Sequence, residues 1–170
     1  MTETLMHPPS PSRNALRKPF VLRAAACVAL VTMLSAWPGA ARAQEVSLRC
    51  MDGSRLAEAD LARGATIVVV WASWSPRSRD IVERVKQLAD RWGERALVVT
   101  VNFQENRGEV ERFLSGKNLG APVCLDPEGA FSRKYNVATL PGLLVMKDGQ
   151  VAYRGKLPPD ADAVISAALR

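Results

Sequence analysis

The sequence is short of histidine, of cysteine and of long apolar runs, and each shortage removes a class of chemistry. Its 170 residues contain one histidine, His7, and three cysteines. From residue 44 onward there is no histidine at all. That excludes Ser–His and Cys–His nucleophile pairs and the usual zinc or copper sites from this region. No metal and no cofactor is therefore expected. The apolar run from Ala24 to Trp37 falls short of the roughly 20 residues a comfortable membrane span requires. Internal repeats are lacking, and low complexity is confined to the short Pro/Ser stretch Pro8–Ser12.

Charge of one sign is scarcer than the total suggests. The net charge is +6, but Arg13, Arg17, Lys18, Arg23 and Arg42 all lie in residues 1–43, against the single acid Glu3. Residues 44–170 keep only a small positive excess, which is a weak basis for a polyanionic partner. No nucleic acid is expected.

Residues 1–43 have the layout of a cleavable export signal. A basic leader precedes the Ala24–Trp37 run, Pro38 and Gly39 break it, and Ala41-Arg42-Ala43 supplies the small-x-small pattern before a cut that leaves Gln44 first. The alternative is an uncleaved anchor, the one case in which a membrane would be a partner. Cys27 sits at the start of the apolar run rather than after it, which argues against a lipoprotein. A periplasmic or extracytoplasmic location is expected, with residues 44–170 as one domain. In an oxidising compartment Cys50 and Cys124 are free to pair.

From Glu45 the pattern changes every few residues. Val46, Leu48 and Asp52-Gly53 predict a strand entering a hairpin. Leu56 to Leu61 reads as a short connection. Thr66 to Trp71 is a β-branched run of the kind buried on both faces of a sheet. Pro76 opens a predicted helix whose apolar residues Ile81, Val82, Val85, Leu88 and Trp92 recur at helical spacing. Ala96–Phe103 is a second buried strand, Val110, Phe113 and Leu114 mark a second helix that closes near Leu119-Gly120, Pro122–Leu125 is a short strand and Phe131–Tyr135 a helical turn. Leu143–Met146 and Val151–Tyr153 flank a Lys147-Asp148-Gly149 turn, and Asp160 or Asp162 caps a last helix. Strands alternating with helices predict an α/β fold with a mixed sheet covered on both faces.

The segment Trp71-Ala-Ser-Trp74-Ser75-Pro76-Arg77-Ser78 falls where a buried strand turns into a helix. It resembles the Trp-Cys-x-x-Cys turn of thioredoxin-like proteins. Five ordered matches resemble the TlpA/ResA group of exported thiol-disulfide oxidoreductases. They are the Leu48–Gly53 hairpin, Trp71–Trp74, Val101-Asn102, Pro122–Asp126 and Tyr135–Pro141. The resemblance implies a thioredoxin-like three-layer sandwich with an N-terminal β-hairpin. It also implies that Pro141 is a cis-proline facing the active-site turn, with Leu140 placed to pair with an extended peptide.

The departures from that family carry the functional argument. Where the resemblance places an attacking and a resolving cysteine, this chain has Ser75 and Ser78. A helix dipole worth about 0.3–1 kcal/mol cannot ionise a hydroxyl, and no histidine can serve as its base. The serines instead suit an N-cap at Ser75, with Pro76 first in the helix and Ser78 in its first turn. Val69 stands where relatives often keep a proton-relaying polar residue. Glu105 aligns with an acid near the active site of some relatives, and reads equally as a solvated acid before a helix. The Thr that commonly follows the proline is Gly142. Trp71 suits the core, and Trp74 the rim of a groove.

Three functions follow. The first is a redox-inactive accessory module binding a protein or peptide partner in the periplasm. Its groove would be formed by Trp74, Ser75, Pro76, Arg77, Ser78, Leu140 and Pro141. The second is a TlpA/ResA-type oxidoreductase, weakly active or working through Cys50 and Cys124. The third is a carrier using the helix start with Arg77 and Arg79 as an anion site. Cys50 and Cys124 themselves read as a structural disulfide closing the loop from Met51 to Val123, worth ~4 kcal/mol on a chain-entropy basis, or as two buried thiols.

Overall fold

The computed structural model describes residues 45–170. The expected export signal and its expected cleavage point, with His7 and Cys27, lie outside the described residues.

Strand β1 (Ser47–Cys50) turns through Gly53 into β2 (Arg55–Ala57), followed by the single-turn helix α1 (Glu58–Leu61). Leu56–Leu61, expected as a plain connection, is therefore the end of a strand and one helical turn. Segments this short carry too little periodicity to be distinguished from a loop. Glu58 ties the start of the described chain to the domain by accepting from the Val46 N–H at 2.8 Å and from Lys134. Burial opposes ionisation of Glu58, but those hydrogen bonds outweigh it and hold its carboxyl below the usual range.

Strand β3 (Ala65–Trp71) is buried along nearly its whole length. It leads through a 3-10 turn at Pro76–Ser78 to helix α2 (Ile81–Trp92). Next come β4 (Leu97–Phe103), α3 (Arg107–Leu114), β5 (Val123–Asp126), α4 (Ala130–Lys134), the hairpin β6 (Gly142–Lys147) and β7 (Gln150–Lys156), and α5 (Ala161–Ala168). Asp148 and Gly149, with φ of 50° and 80°, make the tight turn that hairpin requires. Asp160, rather than Asp162, caps α5 by accepting from Ala163 N–H at 3.2 Å.

The strands form one seven-stranded sheet in the order β2-β1-β5-β4-β3-β6-β7. Strands β3, β4 and β5 run parallel and the rest pair antiparallel, giving the expected mixed sheet. Alternate residues of β3 enter opposite cores. Ile67, Val69 and Trp71 pack with α2, α3 and α5, whereas Val68 and Val70 pack with α1 and α4. Helix α2 is tied down near both of its ends. Trp92 Nε1 donates to Asp162 at 2.8 Å, and Arg84 donates to the carbonyls of Leu157 and Pro158 at 3.2 and 2.6 Å.

Cys50 and Cys124 are register partners on β1 and β5 and are joined as a disulfide, with Cα atoms 3.7 Å apart. The bond ties the edge hairpin β1–β2 to the parallel centre of the sheet. Both half-cystines are buried.

Candidate functional site

The parallel strands open at their carboxyl ends, the usual place for a site in such a sheet. Here β3 gives way to Ala72-Ser73-Trp74, and the chain turns sharply. The Ser75 N–H donates to Ala72 O at 3.2 Å, and the Ser78 N–H to Ser75 O at 2.9 Å. Ser75 occupies the N-cap position before Pro76, but its hydroxyl makes no capping bond. The 3-10 turn and the break at Arg79-Asp80 start α2 later than the expected Pro76. Ser75 is 6 % exposed and Ser78 fully buried. The Ser78 hydroxyl has no hydrogen-bond partner among the described residues.

Across from this turn the chain passes through Val137-Ala138-Thr139-Leu140. The Leu140–Pro141 peptide is cis. A cleft of about 600 Å³ lies between the two segments, lined by Trp74–Arg77 on one side, Val137–Leu140 on the other, and Phe103 from the end of β4. The structure thus brings Trp74, Ser75, Pro76, Arg77 and Leu140 to one cleft. Ser78 and Pro141 are buried and do not line it. Phe103 and Val137–Thr139 were not singled out from the sequence. Val137–Thr139 sit inside the Tyr135–Pro141 match, so the motif that located Leu140 also contained them.

Gly142 explains how the second wall lies so close. A Cβ at this position would sit 2.6 Å from Val137 Cγ1 and 2.8 Å from the carbonyl oxygen of Thr139. Only glycine lets the 137–139 segment close over the start of β6. The wall is tied down from behind. Leu157 N–H donates to Pro141 O at 3.0 Å, and Leu157 O accepts from Arg84 on α2. One residue therefore links α2 to the cis-proline wall.

Trp74 is 58 % exposed, while Trp71 is completely buried against Phe113, with ring centroids 5.2 Å apart. The exposed indole is held by the loop beneath it. Glu105 is 5 % exposed and accepts from Ser73 N–H at 2.7 Å, from the Ser73 hydroxyl, and from Asn102 Nδ2 at 2.7 Å. The reading of Glu105 as a solvated acid is corrected. Gln104, at φ 55°, turns the chain at the end of β4 immediately before it. On the far side of Trp74, Glu105 lines a smaller depression with Ser73, Glu109, Arg112 and Phe113.

A second cleft of about 570 Å³ lies where the described chain begins, along Glu45–Arg49 and Leu125–Lys134, and contains none of the residues nominated from the sequence. Val69, at the position expected for a proton relay, lies in the core between Thr100 and Leu143. Among the described residues no group of His, Cys, Asp or Glu could hold a metal ion.

The AhpC/TSA family matches residues 40–154. This chain belongs to that family. The fold of this chain recurs in solved structures. An AhpC/TSA-type chain of this kind is similar to a provisionally assigned thiol:disulfide interchange protein, DsbE, from Chlorobium tepidum. The two share 26% identity over 74% of this chain and 94% of that one, with a TM-score of 0.64. It is similar to the exposed lipoprotein thioredoxin Etrx1 of Streptococcus pneumoniae at 21% identity, covering 73% and 97%, with a TM-score of 0.63. It is also similar to StoA from Bacillus subtilis at 21% identity, covering 72% and 95%, with a TM-score of 0.61. The last two likenesses establish the thioredoxin-like fold. No curated protein sequence matches the chain.

Proposed function

We propose that this protein is an exported, TlpA/ResA-type thioredoxin-fold module that has given up thiol–disulfide exchange at its turn and uses the retained cleft to bind a protein or peptide partner. The observation that carries the reading is the pairing of two facts at one place. Ser75 and Ser78 occupy the turn after β3, and that turn faces an apolar cleft walled by exposed Trp74 and half-buried Leu140. Serine oxygen cannot form a mixed disulfide, and a buried Ser78 with no base cannot be activated as a nucleophile. The cleft does not depend on those thiols. An extended segment could pair with the Leu140 backbone while its side chains pack on Trp74 and Phe103.

The likeness to Chlorobium DsbE favours the oxidoreductase reading instead. In this chain that activity would fall to Cys50 and Cys124. Both are bonded to each other and buried, a setting in which sulfur is poorly reached by an attacking thiolate. The structural role is the better account of them.

The test is titration of the purified protein with carbamidomethylated, unfolded insulin B chain, followed by tryptophan fluorescence, with Trp74→Phe as the control that assigns the signal. Saturable binding that Leu140→Arg abolishes supports the reading. Binding untouched by both substitutions contradicts it. Export is tested by intact mass of protein recovered from the periplasm of an expressing host. A first residue of Gln44 supports cleavage after Ala43, and a full-length chain in the membrane fraction supports an anchor.

A further inference from the structure

The charges around the cleft are lopsided. Among its lining residues Arg77 is the only charged side chain, and among the described residues no carboxylate lines it. Arg77 and its neighbour Arg79 are exposed, and among the described residues neither side chain takes part in a hydrogen bond or an ion pair. The acids close by in sequence are engaged elsewhere. Asp80 lies 4.0 Å from Arg84, and Glu105 is occupied by Ser73 and Asn102. The opposite wall is also flanked by cations. On β7, Lys156 is the register partner of Gly142 and is exposed, without an ion-pair partner among the described residues. Two residues before it in sequence, Arg154 donates to the carbonyl of Tyr135, which precedes the Val137–Leu140 wall.

Resting on the groove reading above, we propose that the partner segment is acidic. It is an extended peptide whose apolar side chains pack on Trp74, Phe103 and Leu140, and whose aspartate or glutamate side chain is received by the guanidinium of Arg77. A guanidinium suits this role because its planar fork matches a carboxylate, and because its weaker hydration makes pairing beside an indole less costly than for an ammonium. An unpaired arginine in an otherwise uncharged apolar cleft also rejects a basic segment, which would bring a second cation to a site with no acid to receive it. The flanking Lys156 and Arg154 extend the same preference to acidic residues beyond the cleft.

The experiment uses N-acetylated, C-amidated hexapeptides built on Leu, Val and Ser, with one Glu placed in turn at each of the four central positions. Matched peptides carry Gln or Lys at that position. Binding to the purified protein is read from the Trp74 fluorescence, isolated by comparison with Trp74→Phe. The expected order is Glu above Gln above Lys. The best Glu peptide should bind roughly five- to tenfold tighter than its Gln match. The gap should narrow as salt is raised from low to about 0.5 M. Arg77→Gln should equalise the three, and Arg77→Glu should invert the order. The exposed Arg77 side chain makes no hydrogen bond or ion pair among the described residues, so neither variant should lower the melting temperature appreciably. Equal affinities for Glu, Gln and Lys peptides, unchanged by Arg77→Glu, would overturn the acidic preference and leave the groove standing. No binding by any peptide would overturn the groove and this inference with it.

Discussion

Glu105 and Ser73 are joined at the carboxyl ends of the neighbouring strands β4 and β3, the Ser73 N–H donating to the Glu105 carboxylate at 2.7 Å. The carboxylate also receives the Ser73 hydroxyl and Asn102 Nδ2. It is a strut beneath the Trp74 loop, and the exposed indole depends on it for its position. Glu105→Ala removes the acceptor and leaves a buried N–H and amide unsatisfied, at a cost of about 1–3 kcal/mol each where no other acceptor is found. The expected outcome is a lower melting temperature together with faster amide exchange at Ser73–Ser75. Glu105→Gln keeps one acceptor oxygen and should fall between. Unchanged exchange in both variants would mean the loop is held by other contacts.

Gly142 sets the position of the facing wall. Gly142→Ala should destabilise the fold by about 1–3 kcal/mol, because the added carbon meets a backbone carbonyl as well as the Val137 side chain. The same substitution should weaken peptide binding, since Val137–Thr139 must retreat. Combining it with Val137→Ala relieves only one of the two clashes and should recover only part of the lost stability. Full recovery would show that the Thr139 carbonyl yields freely.

The Cys50–Cys124 bond spans 74 positions of sequence. Cys50→Ala with Cys124→Ala should cost up to ~4 kcal/mol on the chain-entropy model. For a domain of this size that lowers the melting temperature by roughly 10 °C or more. Dithiothreitol should lower the melting temperature of the natural protein by a similar amount and leave the double variant unchanged. A reductant-insensitive melting curve would contradict a stabilising role for the bond.

The sequence was most informative where a single element carries the signal. Thr66–Trp71 reads as a buried strand because one apolar run must be covered on both faces. The tight Lys147-Asp148-Gly149 turn reads from residues that tolerate positive φ. Such signals fade when they are short or divided among segments. Arg55–Leu61 is too brief to show a period. The N-cap backbone of Ser75 was legible from Ser-Pro, but the idle hydroxyl was not, since its partners are set by the tertiary surroundings. The two readings of Glu105, an acid near the turn or a solvated acid before a helix, could not be separated in sequence, because the donors that justify its burial lie on the loop after β3 and on β4. Phe103 and Val137 reach the cleft from separate segments that no local pattern connects.

The turn bearing Ser75 and Ser78 is expected to perform no thiol chemistry while the fold around it persists. Reduction of insulin by dithiothreitol, followed by turbidity, tests it most directly. Adding the purified protein should leave the lag and rate as they are with dithiothreitol alone. Acceleration that survives in the Cys50→Ala, Cys124→Ala variant would contradict it.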